Sequence, residues 1–277
     1  MKKNLVCISS EEMFNVLLQN GIQTFRLQQD VKIGNSTISL HKANAIEGII
    51  KEWLANWFDS QGFTNIHNTK QTPPDFWLNP KDMTKDLLEV KCFYKGPGFD
   101  IANFISYVKE IVEKPYRLHS KYLLLKYDMT PETGIVTIEN AWLKNVWEIC
   151  SSSGPRPIKV QEKSKVIYNI RPATWYAEQT EYPVFECLED FLAAIEQTLY
   201  DYSQTRSTLA EGWAKNLCKA YKEHYGTELN LPRWYDIKEK YYKPKETPKV
   251  PKEIIDEAEK NRINSLIIDL NYQTISN

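Results

Sequence analysis

The stretch PPDFWLNPKDMTKDLLEVKCF, residues 73–93, carries a Pro-Asp pair, a polar gap and an apolar run with Glu-Val-Lys at its centre. Residues two apart on a strand share a face. Glu89 and Lys91 therefore point together, while Leu88, Val90 and Cys92 point the other way, into a core. If the chain turns back near Asp82, PDFWL pairs with LLEVKCF and Asp75 falls opposite Glu89 or Val90. Two carboxylates and one ammonium at a sheet edge suit a hard divalent cation, which the carboxylates would hold together with several waters. The lysine would position or deprotonate a water for in-line attack on phosphorus, with the cation stabilising charge on the phosphate oxygens. The plainer reading of the same residues is a solvated strand face bearing an ion pair.

Positioning such a cluster takes a sheet and a helix beside it. KANAIEGIIKEWLANWFD, residues 42–59, repeats apolar residues at helical spacing (Ile46, Ile49, Ile50, Trp53, Leu54, Trp57), and Gly62 stands where a helix ends. This helix offers a third acid, with Glu52 preferred over Glu47. TNIHNTKQTPPDFWL reads as extended, NPKDMTKD as a turn and LLEVKCF as a strand. A second helix is expected over DIANFISYVKEIVEK, with Ile101 on its apolar face. KYLLLKYD and TGIVTIENAWL read as strands, and KNVWEIC as helical. SSSGPRP, residues 151–157, breaks the pattern. Beyond it come a hairpin (IKVQ and KVIYNI), two amphipathic helices, and a tail from 233 with seven Lys/Arg by residue 252 and four prolines across 232–251. That tail reads as a basic arm or extended wrap followed by one short helix. The order implies an α/β (α+β) fold with a mixed β-sheet flanked by helices. Residues 1–150 are expected to form one core, and 151–277 to supply a hairpin and helices that complete the same domain.

Bulk properties narrow the function classes. With 277 residues, 42% hydrophobic and 12% aromatic, the chain can fill a core. A net charge of −1 gives no global basic field, although an acidic metal site can offset a basic groove. Five cysteines with no Cys-x-x-Cys spacing argue against a zinc knuckle or a disulfide framework. The start has only a four-residue apolar run before acidic residues, and there is no run of 18 apolar residues, so a soluble cytoplasmic protein is expected, with no membrane partner. His41, His67, His119 and His224 are scattered and show no metal-ligand spacing.

The helix with its Glu, then PD, then EVK inside LLEVKCF, then a helix and a strand, resembles the PD-(D/E)xK nuclease superfamily, over residues 44–127. More narrowly the chain resembles a type II restriction endonuclease. GIVTIENAWLKNVWEIC and SKVIYNIRPATW are similar to the neisserial-type enzymes that cut GGNNCC. The resemblance implies a restriction-endonuclease-like catalytic core over residues 1–150, DNA-recognition and dimerisation elements over 151–277, Mg²⁺-dependent hydrolysis of double-stranded DNA leaving 5′-phosphates, a homodimer on a palindromic site, and a methyltransferase in the same cell. It makes Asp75 and Glu89 metal ligands, the Val90 carbonyl a further ligand, Lys91 the water-activating base or orienter, and Glu52 an approximate match to the helix acid. Lys70, Lys95, Arg156 and Lys159 are the candidate DNA contacts. Lys95 would meet phosphate from the KGPG loop, and Arg156 and Lys159 would read guanine from a loop that could equally be a linker. Two other readings stay open: a repair or recombination nuclease that recognises DNA structure, and a DNA-binding protein without catalysis.

Overall fold

The computed structural model describes residues 5–22, 26–28, 30–33, 36–39, 43–70, 72–130, 135–177 and 182–242. His41, the lysines beyond 242 and the short helix expected near the end of the tail lie outside the described residues.

Helix α1 (Ser10–Gln19) opens with a capping box: the Ser9 hydroxyl accepts from the Glu12 amide and the Glu12 carboxylate returns to the Ser9 amide. Strands β1 (Arg26–Gln28), β2 (Asp30–Ile33) and β3 (Ser36–Ser39) follow, then helix α2 (Ala43–Gln61). Gly62 ends α2 with φ +77°, a conformation that favours glycine. Strands β4 (Ile66–His67), β5 (Phe76–Trp77) and β6 (Leu87–Phe93) lead to β7 (Ala102–Asn103) and helix α3 (Phe104–Glu113). A 3₁₀ helix (Pro115–His119) feeds the long strands β8 (Lys121–Thr130) and β9 (Ile135–Asn145). Strands β10 (Val160–Lys163) and β11 (Val166–Ile170) form the expected hairpin. The chain then runs through α4 (Leu188–Asp201), the short α5 (Ser203–Thr205), a π-helical turn (Arg206–Ala210), α6 (Trp213–Tyr225), α7 (Trp234–Ile237) and α8 (Glu239–Tyr242).

The main sheet has six strands in the order β1-β9-β8-β6-β5-β4. It is mixed: β6 and β8 pair in parallel and the other neighbours are antiparallel. Alternation along the central strands sends side chains to opposite faces. Leu88, Val90, Leu123 and Leu125 join α1 and α2 in one core, and Tyr122 and Leu124 join α3, α4 and α6 in the other. Each fully buried Leu or Phe contributes roughly 1.5–3 kcal/mol, so the two cores clamp β8 from both sides, while β6 packs on one face and turns Glu89 and Lys91 to the cleft on the other.

Several expectations shift in detail. Ile101 precedes α3 instead of lying on it, because Asn103 caps the helix by accepting from the Ser106 amide. KNVWEIC divides between the end of β9 and a single 3₁₀ turn, Trp147–Ile149, whose entry is held by Glu148 accepting from the Asn145 amide at 2.7 Å. In the tail, residues 234–242 form α7 and α8 with Trp234 and Tyr241 buried, so this part docks on the core instead of extending as an arm.

Candidate active site

β5 and β6 pair with Phe76 opposite Leu88 and Trp77 opposite Leu87, and this register carries Asp75 to a position opposite Glu89. The loop before Asp75 is fixed by Asn68. Its side-chain amide donates to the carbonyls of Thr72 (2.6 Å) and Pro74 (2.9 Å), and its backbone amide donates to the Asp75 carbonyl (2.8 Å). Two consecutive prolines, 73 and 74, offer no amide to a ladder, so a side chain takes over the work of a strand partner.

Asp75 is 8% exposed and both its oxygens are engaged. Oδ2 accepts from the Val90 amide at 2.7 Å, and Oδ1 is 2.7 Å from Lys51 Nζ. Glu89 is 7% exposed, with Oε1 3.2 Å from Lys91 Nζ and Oε2 buried with no hydrogen-bond partner among the described residues. Burial and, more weakly, the Asp75 charge raise the Glu89 pKa above the ordinary value near 4.5. For Lys91, burial pulls the pKa down, but Glu89, Glu47 and Asp75 outweigh it and the net shift is upward. Lys51 is likewise raised: burial opposes its charge, and Asp75 and Glu47 overcome that.

Sequence reasoning did not single out Lys51. Its ammonium stands between Asp75 and Glu47, at 2.7 Å from each. The signal was present, since Glu47 and Lys51 are i,i+4 neighbours on one helix face. Glu47 also accepts from the Cys92 amide at 3.4 Å, tying α2 to β6. Glu52 is exposed and lines the cleft, without a described bond to the cluster. The connection to Asp75 therefore runs through Glu47, not through the preferred Glu52.

The cluster opens into a cleft of ≈ 1330 Å³. It is lined by Lys51, Glu52 and Lys70, by Tyr107, Glu110 and Arg117, and by Asp75, Glu89 and Lys91 themselves. Lys70 is exposed there. Lys95 lies over the Tyr94 ring at 5.5 Å and lines a neighbouring cleft. Arg156 is ion-paired to Glu162 at 2.9 Å, and Lys159 is exposed; neither lines the clefts described here. The SSSGPRP loop is pinned: the Ser152 hydroxyl donates to the Tyr241 carbonyl, and the Ser153 and Arg156 backbones bond each other. Among the described histidines, His67 is stacked on Phe76 and His119 is bonded to the Tyr221 hydroxyl.

A divalent cation fits this donor set. An orphaned, buried carboxylate oxygen on Glu89 beside Asp75 is what such an ion would satisfy. Among the described residues no group of three or more His, Cys, Asp or Glu side chains converges, so water and backbone carbonyl would complete the shell.

Comparison with known proteins points one way. The profile of the family described as NgoBV restriction endonuclease matches residues 7–241. The chain is 39% identical over 244 residues to the type II restriction enzyme NlaIV of Neisseria lactamica, covering 86% of this chain and 100% of that protein. It is 33% identical over 163 residues to the type II restriction enzyme NgoBV of Neisseria gonorrhoeae, covering 57% of this chain and 92% of that protein. The solved structure of NlaIV restriction endonuclease superposes with a TM-score of 0.80 at 40% identity, over 86% of this chain and 98% of that one.

Proposed function

This chain belongs to the NgoBV restriction endonuclease family and is a site-specific DNA endonuclease; from that premise we propose that it hydrolyses duplex DNA with Mg²⁺ at the Asp75–Glu89–Lys91 cluster, leaving 5′-phosphates. The observation that carries the site assignment is Glu89. A carboxylate held in the wall of a large cleft, with one oxygen unpaired, is a costly arrangement, about 1–3 kcal/mol for an unsatisfied buried polar atom. A bound cation removes that cost.

Asp75 and Glu89 would hold the ion, with the Val90 carbonyl as a further ligand. When bound, Mg²⁺ supplies positive charge to the phosphate oxygens and makes a bound water more acidic. The Val90 amide fixes one Asp75 oxygen. Lys91, within 3.2 Å of Glu89, is the water-activating base or orienter and donates to developing negative charge. Lys51, paired with Glu47 on the same helix, ties Asp75 to α2. Glu52 and Lys70 line the cleft by which DNA reaches the cluster. By kinship the protein acts as a homodimer on a palindromic site and is matched by a methyltransferase. Lys95, Arg156 and Lys159 are the remaining candidates for DNA contact.

The test is a digest of unmethylated phage DNA in millimolar Mg²⁺, beside an EDTA control and the Lys91→Ala protein. Discrete fragments are expected, lost in both controls. A smear would sink the site-specific reading, and cutting by Lys91→Ala at the wild-type rate would sink the assignment of the site.

A further inference from the structure

Arg117 has no part in the reading so far, yet it is 8% exposed and lines the cleft that holds the carboxylates. Its Nε and Nη1 are buried and find no hydrogen-bond acceptor among the described residues; the nearest opposite charge is Glu110 Oε1, 3.4 Å from Nε. Its stem is rigid. The 3₁₀ helix that carries it starts at Pro115, the Arg117 amide is bonded to the Lys114 carbonyl, and Leu118 is fully buried in the core. The guanidinium is therefore held by packing and by one long ion pair, with no hydrogen bond made by Nε or Nη1. In the same cleft the Tyr107 hydroxyl is also buried, with no hydrogen-bond partner among the described residues, and Lys114 adds a second positive charge.

We propose that Arg117 is a DNA-phosphate contact, gripping a backbone phosphate next to the one being cut, with the Tyr107 hydroxyl as a second donor. This rests on the nuclease reading above. A planar guanidinium matches two phosphate oxygens at once, and an anionic oxygen is what two unmade, buried N–H donors lack. Arg117 and Glu89 line the same cleft, so the gripped phosphate belongs to the strand that enters the reacting centre. Glu110 competes for the same donors, so its ion pair loosens as DNA enters.

The experiment measures affinity against salt without divalent cation, by fluorescence anisotropy. The full chain is titrated with a duplex bearing the sequence that wild type cuts and with a scrambled duplex. Each phosphate contact contributes about one unit to the slope of log affinity against log salt. Arg117→Gln is expected to lower that slope by about one on both duplexes and to weaken binding by about tenfold, while Arg117→Lys restores the slope but not the full affinity. Should Arg117→Gln not fold, Glu110→Gln is the second variant: freeing the guanidinium should tighten binding and steepen the slope. An unchanged slope in folded Arg117→Gln overturns the proposal. So does a loss confined to the cleavable duplex, which would make Arg117 a base reader, and so does unchanged or weaker binding by Glu110→Gln. Failure of wild type to cut would instead overturn the reading beneath it.

Discussion

Replacing Asp75 by Asn is expected to lower single-turnover DNA cleavage by about 10³-fold or more, the scale of losing a charge aimed at the transition state. The substitution keeps the shape and the acceptor that takes the Val90 amide. It removes the negative charge and turns a donor toward Lys51, whose ammonium then retains Glu47 as partner. Asn is preferable to Ala here, because Ala would also strand the Val90 amide in a buried place and confuse lost chemistry with lost folding. DNA binding without divalent cation should hold or improve, since one negative charge leaves the cleft. A rate within tenfold of wild type, in protein with an unchanged circular dichroism spectrum, would remove Asp75 from the centre.

Glu89→Gln should trade activity for stability. Cleavage should fall on the same scale, while the metal-free protein should melt higher. Burial raises the Glu89 pKa, so this group's contribution to stability is fully present below the ordinary value near 4.5 and is lost as pH rises through the folded value. Gln has no such slope. The gain is limited by loss of the Lys91 ion pair at 3.2 Å, but Lys91 keeps the charges of Glu47 and Asp75 nearby. At about 2–4 °C per kcal/mol for a chain of this size, an increase of a few degrees is expected in EDTA at pH 8, shrinking toward pH 5. A variant less stable than wild type at pH 8, or a difference that ignores pH, would contradict the account of Glu89 as a carboxylate at odds with its surroundings.

What could be read in the sequence was what is local. The β5–β6 hairpin, its tip near Asp82 and the shared face of Glu89 and Lys91 all follow from alternation along one short segment. So does α2, whose apolar stripe and terminal Gly62 are in the chain for inspection. The Ser9–Glu12 capping box was equally visible, though no helix was drawn from it. Lys51 and Arg117 were not legible as members of the cleft, because what brings them to Asp75 and Glu89 is the packing of α2 and of the 3₁₀ helix on the sheet. Nothing in KEWL or PYRLH alone announces that a cation will be buried. The choice between Glu47 and Glu52 failed to resolve for a related reason. Both lie on the same helix, and only the docking angle tells which one meets the Cys92 amide.

The parallel pairing of β6 with β8 also bears on the order of assembly. Phe76 meets Leu88 and the two long strands β8 and β9 meet each other through short chain reversals, so both hairpins close at small entropic cost. Leu88 and Lys121, by contrast, come together only after the whole crossover through α3 and the 3₁₀ helix has been laid down. Non-local pairings of this kind form slowly. Until this one forms, Asp75 and Glu89 already share a hairpin while Arg117 and Tyr107 are still elsewhere, so a partly folded chain owns the carboxylates but not the cleft. Cutting competence would then wait for this non-local step, keeping half-made protein harmless to the DNA around it. Pulse-labelling hydrogen exchange in which β6–β8 amides are protected as early as those of β8–β9 would contradict that order.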